Sequence, residues 1–154
     1  LSAVEAVEIT PNLKLKGKID RIDLQENSFD IIDYKTGITK PSGSDLQKGL
    51  SLQLPLYAHI ASQLLKNYTG KDFTPHELYI YTLKYNSNSF GKNSLTRSRD
   101  KTTIDDKIKN AIEKAEEFAD GIIKGRFHIS AHDNRETIAC RFCNLSNVCR
   151  VKNN

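Results

Sequence analysis

From Leu13 to Gly37 the chain alternates apolar and charged residues in a pattern that paired β-strands satisfy. Leu13, Leu15 and Ile19 alternate with Lys14, Lys16 and Lys18, the period of a half-buried strand. The phase slips after Ile19, because Ile22 and Leu24 carry the opposite parity. A bend or bulge between Gly17 and Asp20 accounts for the slip, and glycine tolerates one. Such a bend re-aims the side chain beside it, here Asp20. Gln25, Glu26, Asn27 and Ser28 make a polar break of hairpin length. Phe29 to Thr36 reads as the next strand, with Asp33 and Lys35 on the face of Phe29 and Ile31. Strand rise puts the α-carbons of Asp33 and Lys35 about 6.6 Å apart.

Aspartate is disfavoured in strands, so Asp20, Asp23, Asp30 and Asp33 each need a reason to be there. Edge exposure serves for Asp23 and Asp30. Asp20 and Asp33, on adjacent strands, can offer two hard carboxylates to a divalent ion. Magnesium takes one or two carboxylates and completes its shell with water and substrate phosphate. An ion held there would polarise a phosphoryl group and acidify a bound water. Lys35 could orient that water, hold the phosphate, or act as a base. The competing reading of Asp33 is an ion pair with Lys35 or Arg21.

The remaining elements follow in order. Val7 and Ile9 flank Glu8 in a short strand that ends at the Pro11-Asn12 turn. Residues 38–45 are loop by composition. Apolar residues at 46, 50, 54, 57, 61 and 64 have helical spacing. Pro55 requires a break or a helix start within about four residues before it. Gln53 and Tyr57 then share a face, as helix surface or as the wall of a site. Thr69 to Asp72 and Thr74-Pro75 end this helix. Leu78 to Tyr85 is strand by its aromatic and branched residues. Residues 86–102 read as one long loop, either solvated or functional. Thr103 to Lys124 reads as a helix opened by a Thr103–Asp106 capping box, with an apolar stripe through Ile104, Ile108, Ala111, Ala115, Phe118 and Ile122. Gly125 is placed to cap its end.

Strands, helix, strand, helix in this order predict a mixed α/β (α+β) fold, a small central mixed sheet flanked by helices. At 154 residues we expect one domain over 1–154, and the absence of methionine at Leu1 leads us to expect an upstream segment. No apolar run reaches the ~18 residues of a membrane span, and no signal peptide is present, so we expect a cytoplasmic protein. A net charge of +4 mildly favours a polyanionic partner. The cysteines, Cys140, Cys143 and Cys149, all fall within 138–151. An odd number without a secretion signal argues for a metal or cluster site in place of a disulfide scaffold. His59, His76 and His128 read as surface or packing residues.

Gly17-Lys-Ile-Asp-Arg-Ile-Asp23, Ile32-Asp-Tyr-Lys-Thr-Gly37 and Gln53-Leu-Pro-Leu-Tyr57 together resemble, in order and spacing, the RecB/AddB-type nucleases of the PD-(D/E)XK superfamily. The resemblance implies a restriction-endonuclease-like core and cleavage of single-stranded DNA ends, unwound by an attached helicase, in double-strand break repair. It implies Mg2+ or Mn2+ held by Asp20, Asp33 and the backbone carbonyl of Tyr34. Lys35 would be the catalytic lysine, with Gln53 and Tyr57 lining the site. The family also uses a metal-binding His or Glu on a helix before the first strand. Glu5 and Glu8 lie on a predicted strand, so we expect that ligand before Leu1. The cysteine trio is similar to the C-terminal part of a four-cysteine [4Fe–4S] site in the AddB-like subgroup, with the fourth cysteine expected before Leu1. A Cys3His zinc site completed by His132, or an unfilled trio, stays open. Arg21, Lys84, Arg97 and Arg99 are candidate DNA contacts. The alternatives to an enzyme are a non-catalytic DNA-binding or assembly module that keeps the fold, and a zinc-binding interaction domain.

Overall fold

The structure, a computed structural model, describes residues 6–37, 40–96, 101–126 and 140–144. The polar break forms the predicted hairpin, with the Gln25 amide donating to the Ser28 carbonyl at 2.8 Å. It joins β3 (Arg21–Leu24) to β4 (Ser28–Lys35) in an antiparallel pair that sets Arg21 opposite Ile32 and Leu24 opposite Phe29. On its other side β4 runs parallel to β5 (Thr74–Thr82), and β5 pairs antiparallel with β6 (Gly91–Ser94). The result is a four-stranded mixed sheet in the order β3-β4-β5-β6.

Three local expectations need correction. The phase slip after Ile19 is a change of sheet, not a bulge in one strand. β2 (Leu13–Leu15) pairs with β1 (Val7–Thr10) in a separate two-stranded sheet, and the chain crosses to the main sheet through Gly17–Asp20. Buried Ile19 anchors that crossing. Thr74 and Pro75 do not end the helix; they begin β5, opposite Ser28 and Phe29. Proline has no amide for the ladder, and the register slips at this point, leaving His76 between the paired Pro75 and Glu77. The expected loop at 86–102 contains β6, and the strand expected over Leu78–Tyr85 stops at Thr82. β6 has little intrinsic strand propensity. Its pairing continues into the Leu95 amide, which donates to the Leu78 carbonyl, and Leu95 is buried in the core.

The longer of the next two helices covers one face of the sheet, and the shorter packs against the C-terminal helix. A short α1 (Gly43–Gln47) is capped by Ser42, whose hydroxyl accepts from the Asp45 amide at 3.2 Å. The next helix, α2 (Gln53–Thr69), starts two residues before Pro55, where a proline amide would have no intrahelical partner. Gly70 ends it in the left-handed conformation, φ 71°. Leu54, Ala58, Ala61 and Leu65 of α2 bury against Phe29, Ile31, Leu78 and Ile80 of the sheet. Each fully buried large aliphatic or aromatic side chain contributes about 1.5–3 kcal/mol.

The long C-terminal helix α3 (Ile104–Ile123) carries both halves of the predicted capping box. Its stripe is split: Ile104 and Ile108 pack on the main core, while Ala111, Ile112 and Ala115 join Leu46 and Leu56 in a second cluster. Phe118 and Ile122, the far end of the stripe, remain exposed. Among the described residues no helix is long and apolar enough to cross a membrane.

Candidate active site

β4 points Asp33 and Lys35 to the face that α2 covers, and the first residue of α2 is Gln53. The three side chains close a ring. Gln53 Nε2 donates to Asp33 Oδ1 at 2.8 Å. Lys35 Nζ meets Asp33 Oδ2 at 2.8 Å and donates to Gln53 Oε1 at 3.1 Å. Asp33 is 3 % exposed, so its charge is held out of water by these two partners. The Asp33–Lys35 ion pair of the competing reading therefore exists, and Gln53 is a third member that aligns both.

Asp20 arrives from the other side. It precedes Arg21, which pairs with Ile32, so it comes opposite Asp33 just beyond the end of β3. The main chain leaves the ladder at this point and the Asp20 side chain replaces it: Oδ2 accepts from the Tyr34 amide at 3.0 Å. The Lys35 carbonyl accepts from the Leu83 amide on the β5 side. Backbone groups alternate sides along a strand, so the Tyr34 carbonyl turns toward Asp20.

Tyr57 lies one turn along α2 from Gln53, packs on the main core and rests against Gly17. A β-carbon at Gly17 would come 3.0 Å from Tyr57 Cε1 and 3.4 Å from its hydroxyl oxygen. The two ends of the helix motif thus grip the two acid-bearing segments, Gln53 holding Asp33 and Tyr57 resting on the crossing that delivers Asp20.

Other sequence candidates sit elsewhere. Arg21 pairs with Ile32 and so shares the sheet face away from Asp33. It chelates Asp23 through Nε (2.6 Å) and Nη2 (2.9 Å), with Nη1 on the Tyr34 hydroxyl at 3.2 Å. These partners keep its guanidinium protonated at any ordinary pH. Lys84 is exposed on the β5–β6 turn. Glu8 lies on β1, in the separate sheet, 3.9 Å from Lys14 Nζ. Cys140 and Cys143 are exposed free thiols on one 3-10 turn, with the Cys143 amide bonded to the Cys140 carbonyl. Arg97, Arg99, His128, His132 and Cys149 lie outside the described residues.

On the face opposite Asp33 the structure gathers a group that the sequence pattern does not reveal. Asp30, His76 and Glu77 bring one ligand atom each within 4.8 Å of one another. Asp30 is on an interior strand, so edge exposure does not explain it; His76 Nδ1, 2.9 Å from its Oδ1, does. Glu77 pairs with Lys92, whose Nζ also lies 4.5 Å from the Tyr79 ring centroid. Only the parallel register of β4 on β5 brings Asp30 beside Glu77, and no local pattern encodes that.

Asp20 and Asp33 lie on neighbouring segments of the sheet, and with a backbone carbonyl turned toward Asp20 they are oxygen donors of the kind that suit magnesium or manganese. The site residues fit such an ion. Lys35 adds a cation held by Asp33 and Gln53, and the Gln53 amide presents both a donor and an acceptor.

The family model of the PD-(D/E)XK nuclease superfamily matches residues 1–150, and the chain belongs to that superfamily. Two curated relatives are each named as a subunit of an ATP-dependent helicase/deoxyribonuclease. The one from Lachnoclostridium phytofermentans is 38% identical over 46% of this chain and 7% of its own length. The one from Carboxydothermus hydrogenoformans is 25% identical over 90% of this chain and 18% of its own length. The chain therefore spans less than a fifth of either relative. No solved structure gives a significant match.

Proposed function

We propose that this chain is the DNA-cleaving domain of a helicase–nuclease, a magnesium- or manganese-dependent deoxyribonuclease acting on single-stranded ends during double-strand break repair. The observation that carries the reading is the ring of Asp33, Lys35 and Gln53 beside Asp20. Membership of a nuclease superfamily and the names of the two relatives support it. Asp20, Asp33 and the Tyr34 carbonyl would hold the ion. Its chemistry, when bound, is Lewis-acid polarisation of the scissile phosphoryl group.

The chain's own residues do the rest. Lys35 Nζ exchanges its bond to Asp33 Oδ2 for one to a phosphate oxygen or to the attacking water, whose approach it directs. Gln53 keeps Asp33 and Lys35 in register while that exchange occurs. Tyr57, through Gly17, fixes the crossing from which Asp20 projects.

The cysteines form part of the same proposal. Cys140, Cys143 and Cys149 supply three thiolates, one short of the four that a [4Fe–4S] cluster takes. Iron and sulfide content, against zinc, decides what the trio holds.

One observation favours the non-catalytic reading. Both oxygens of Asp33 are already engaged by Lys35 and Gln53, as they would be in a purely structural pair. Asp33→Ala separates the two readings. A nuclease loses magnesium-dependent degradation of labelled single-stranded DNA in this variant; an unchanged rate removes Asp33 from catalysis.

A further inference from the structure

Just past Thr82, the register partner of Lys35, the chain turns from β5 into β6 and leaves large apolar side chains in water. Leu83 is 48 % exposed, Tyr85 76 % and Phe90 52 %. Three such residues within one short connection are unusual, because burying any of them would stabilise the fold. The rings of Tyr85 and Phe90 pack edge to face, centroids 5.7 Å apart and planes at 87°. That contact covers one ring face and leaves the others open.

The turn is held rigid by its polar residues and does not depend on the rings. Asn86 takes a positive φ of 60°. The Ser87 hydroxyl donates to the Lys84 carbonyl at 2.8 Å, and the Phe90 amide donates to the Ser87 carbonyl at 3.1 Å. Asn93 Nδ2 ties the far side through the carbonyls of Ser89 (2.6 Å) and Gly91 (2.9 Å). The root is fixed to the active site itself, since the Leu83 amide bonds the Lys35 carbonyl at 2.8 Å. Two residues further, Tyr85 is within about 7 Å of Leu83 by chain reach.

We propose that this turn is a base-stacking guide for the strand that enters the Asp33–Lys35 site. Tyr85 and Phe90 stack on one or two unpaired bases, and Lys84 meets the phosphate between them. Open aromatic faces beside a cation are the components of sequence-tolerant single-strand binding. In a duplex the base faces are covered by their neighbours, so only an unpaired strand can use the guide. The inference rests on the nuclease reading for what the strand is brought to, and adds the residues that position it.

The test is fluorescence anisotropy of the whole chain, without divalent ions, on labelled dT20 and on an abasic strand of the same length. The intact chain binds dT20 more tightly. Tyr85→Ala/Phe90→Ala weakens dT20 about tenfold or more and leaves the abasic strand unchanged. Lys84→Ala weakens both alike. The chain has no tryptophan, so Tyr85→Trp installs a single reporter whose emission dT20 quenches and the abasic strand does not. Equal binding of the two strands by the intact chain, no binding of either, or an unquenched reporter overturns the proposal. Asp33→Ala on the same strands separates it from the nuclease reading: this variant keeps the preference for dT20 and stops cutting. If it still cuts, the assignment of the site falls while the guide stands.

Discussion

Tyr57 Cε1 lies 3.0 Å from the position a β-carbon would take at Gly17, so the ring rests directly on the backbone of the crossing that ends in Asp20. A glycine three residues before a candidate metal ligand is thereby matched to a tyrosine from a helix that begins 36 residues later, at Gln53. Gly17→Ala forces the ring or the crossing to shift. We expect a loss of about 1–3 kcal/mol, the usual cost of overpacking. In a Tyr57→Leu background the same substitution costs less, so a double-mutant cycle by urea denaturation gives a coupling of opposite sign to the single losses. Additive losses would mean that the two residues do not press on each other.

Gln53 is the first residue of α2 and lies outside the buried core, so its removal spares the packing. Gln53→Ala leaves Asp33 Oδ1 without its donor. Loss of a partner that orients a metal ligand typically costs 10–100-fold in affinity or activity. We expect the magnesium concentration needed for half-maximal cleavage to rise by about that factor, and the melting temperature to fall by a few degrees because the buried Asp33 carboxylate loses one of its two partners. A fall in maximal rate at unchanged magnesium demand would instead place Gln53 on the substrate.

His59 titrates below its ordinary value of 6.5 because burial within α2 disfavours the imidazolium, and its Nε2 lies 2.8 Å from Gln63 Nε2. The unfolded chain therefore binds this proton more readily than the folded one. Stability from His59 is fully present above 6.5 and is lost as pH falls through the lowered folded value. Urea midpoints taken at about pH 7.5 and about pH 5 should fall further in the parent than in His59→Gln. Equal falls would show that His59 is not what senses pH in that window.

Gly49 links α1 to the approach to α2 with a φ of +76°, and a β-carbon there would come 2.6 Å from Phe118 Cε2. Two costs coincide, the left-handed backbone and the clash. Gly49→Ala should destabilise by about 2–4 kcal/mol. Phe118→Ala relieves only the second, so the pair together recovers part of the loss in thermal melts. Full recovery would mean that backbone strain contributes nothing.

Strand parity alone puts Asp33 and Lys35 on one face, and helical spacing alone puts Gln53 and Tyr57 on another. Both pairs are legible because each lies within one element. What joins them is not. The Gln53–Asp33 bond spans 20 residues and the Gly17–Tyr57 contact spans 40, distances over which no periodicity speaks. The change of sheet after Leu15 resembles a bulge because parity reports a flip of face and cannot tell a kink from a new sheet. β6 is invisible in the sequence because Gly91, Lys92, Asn93 and Ser94 are strand only by pairing with β5. Pro75 misleads for the converse reason: a helix breaker also fits a strand start where the register slips.

Asp20 does more than stand near Asp33. Its carboxylate takes the place of a missing backbone acceptor for Tyr34, closing a ladder that β3 leaves one step short. A side chain with two duties is harder to replace than one with a single duty. A descendant of this chain that abandoned cleavage could lose Lys35 once Asp33 no longer placed a buried charge beside it, yet would keep an acid at position 20 to finish its sheet. The order in which the two residues drift would then record which demand, chemistry or folding, was relaxed first.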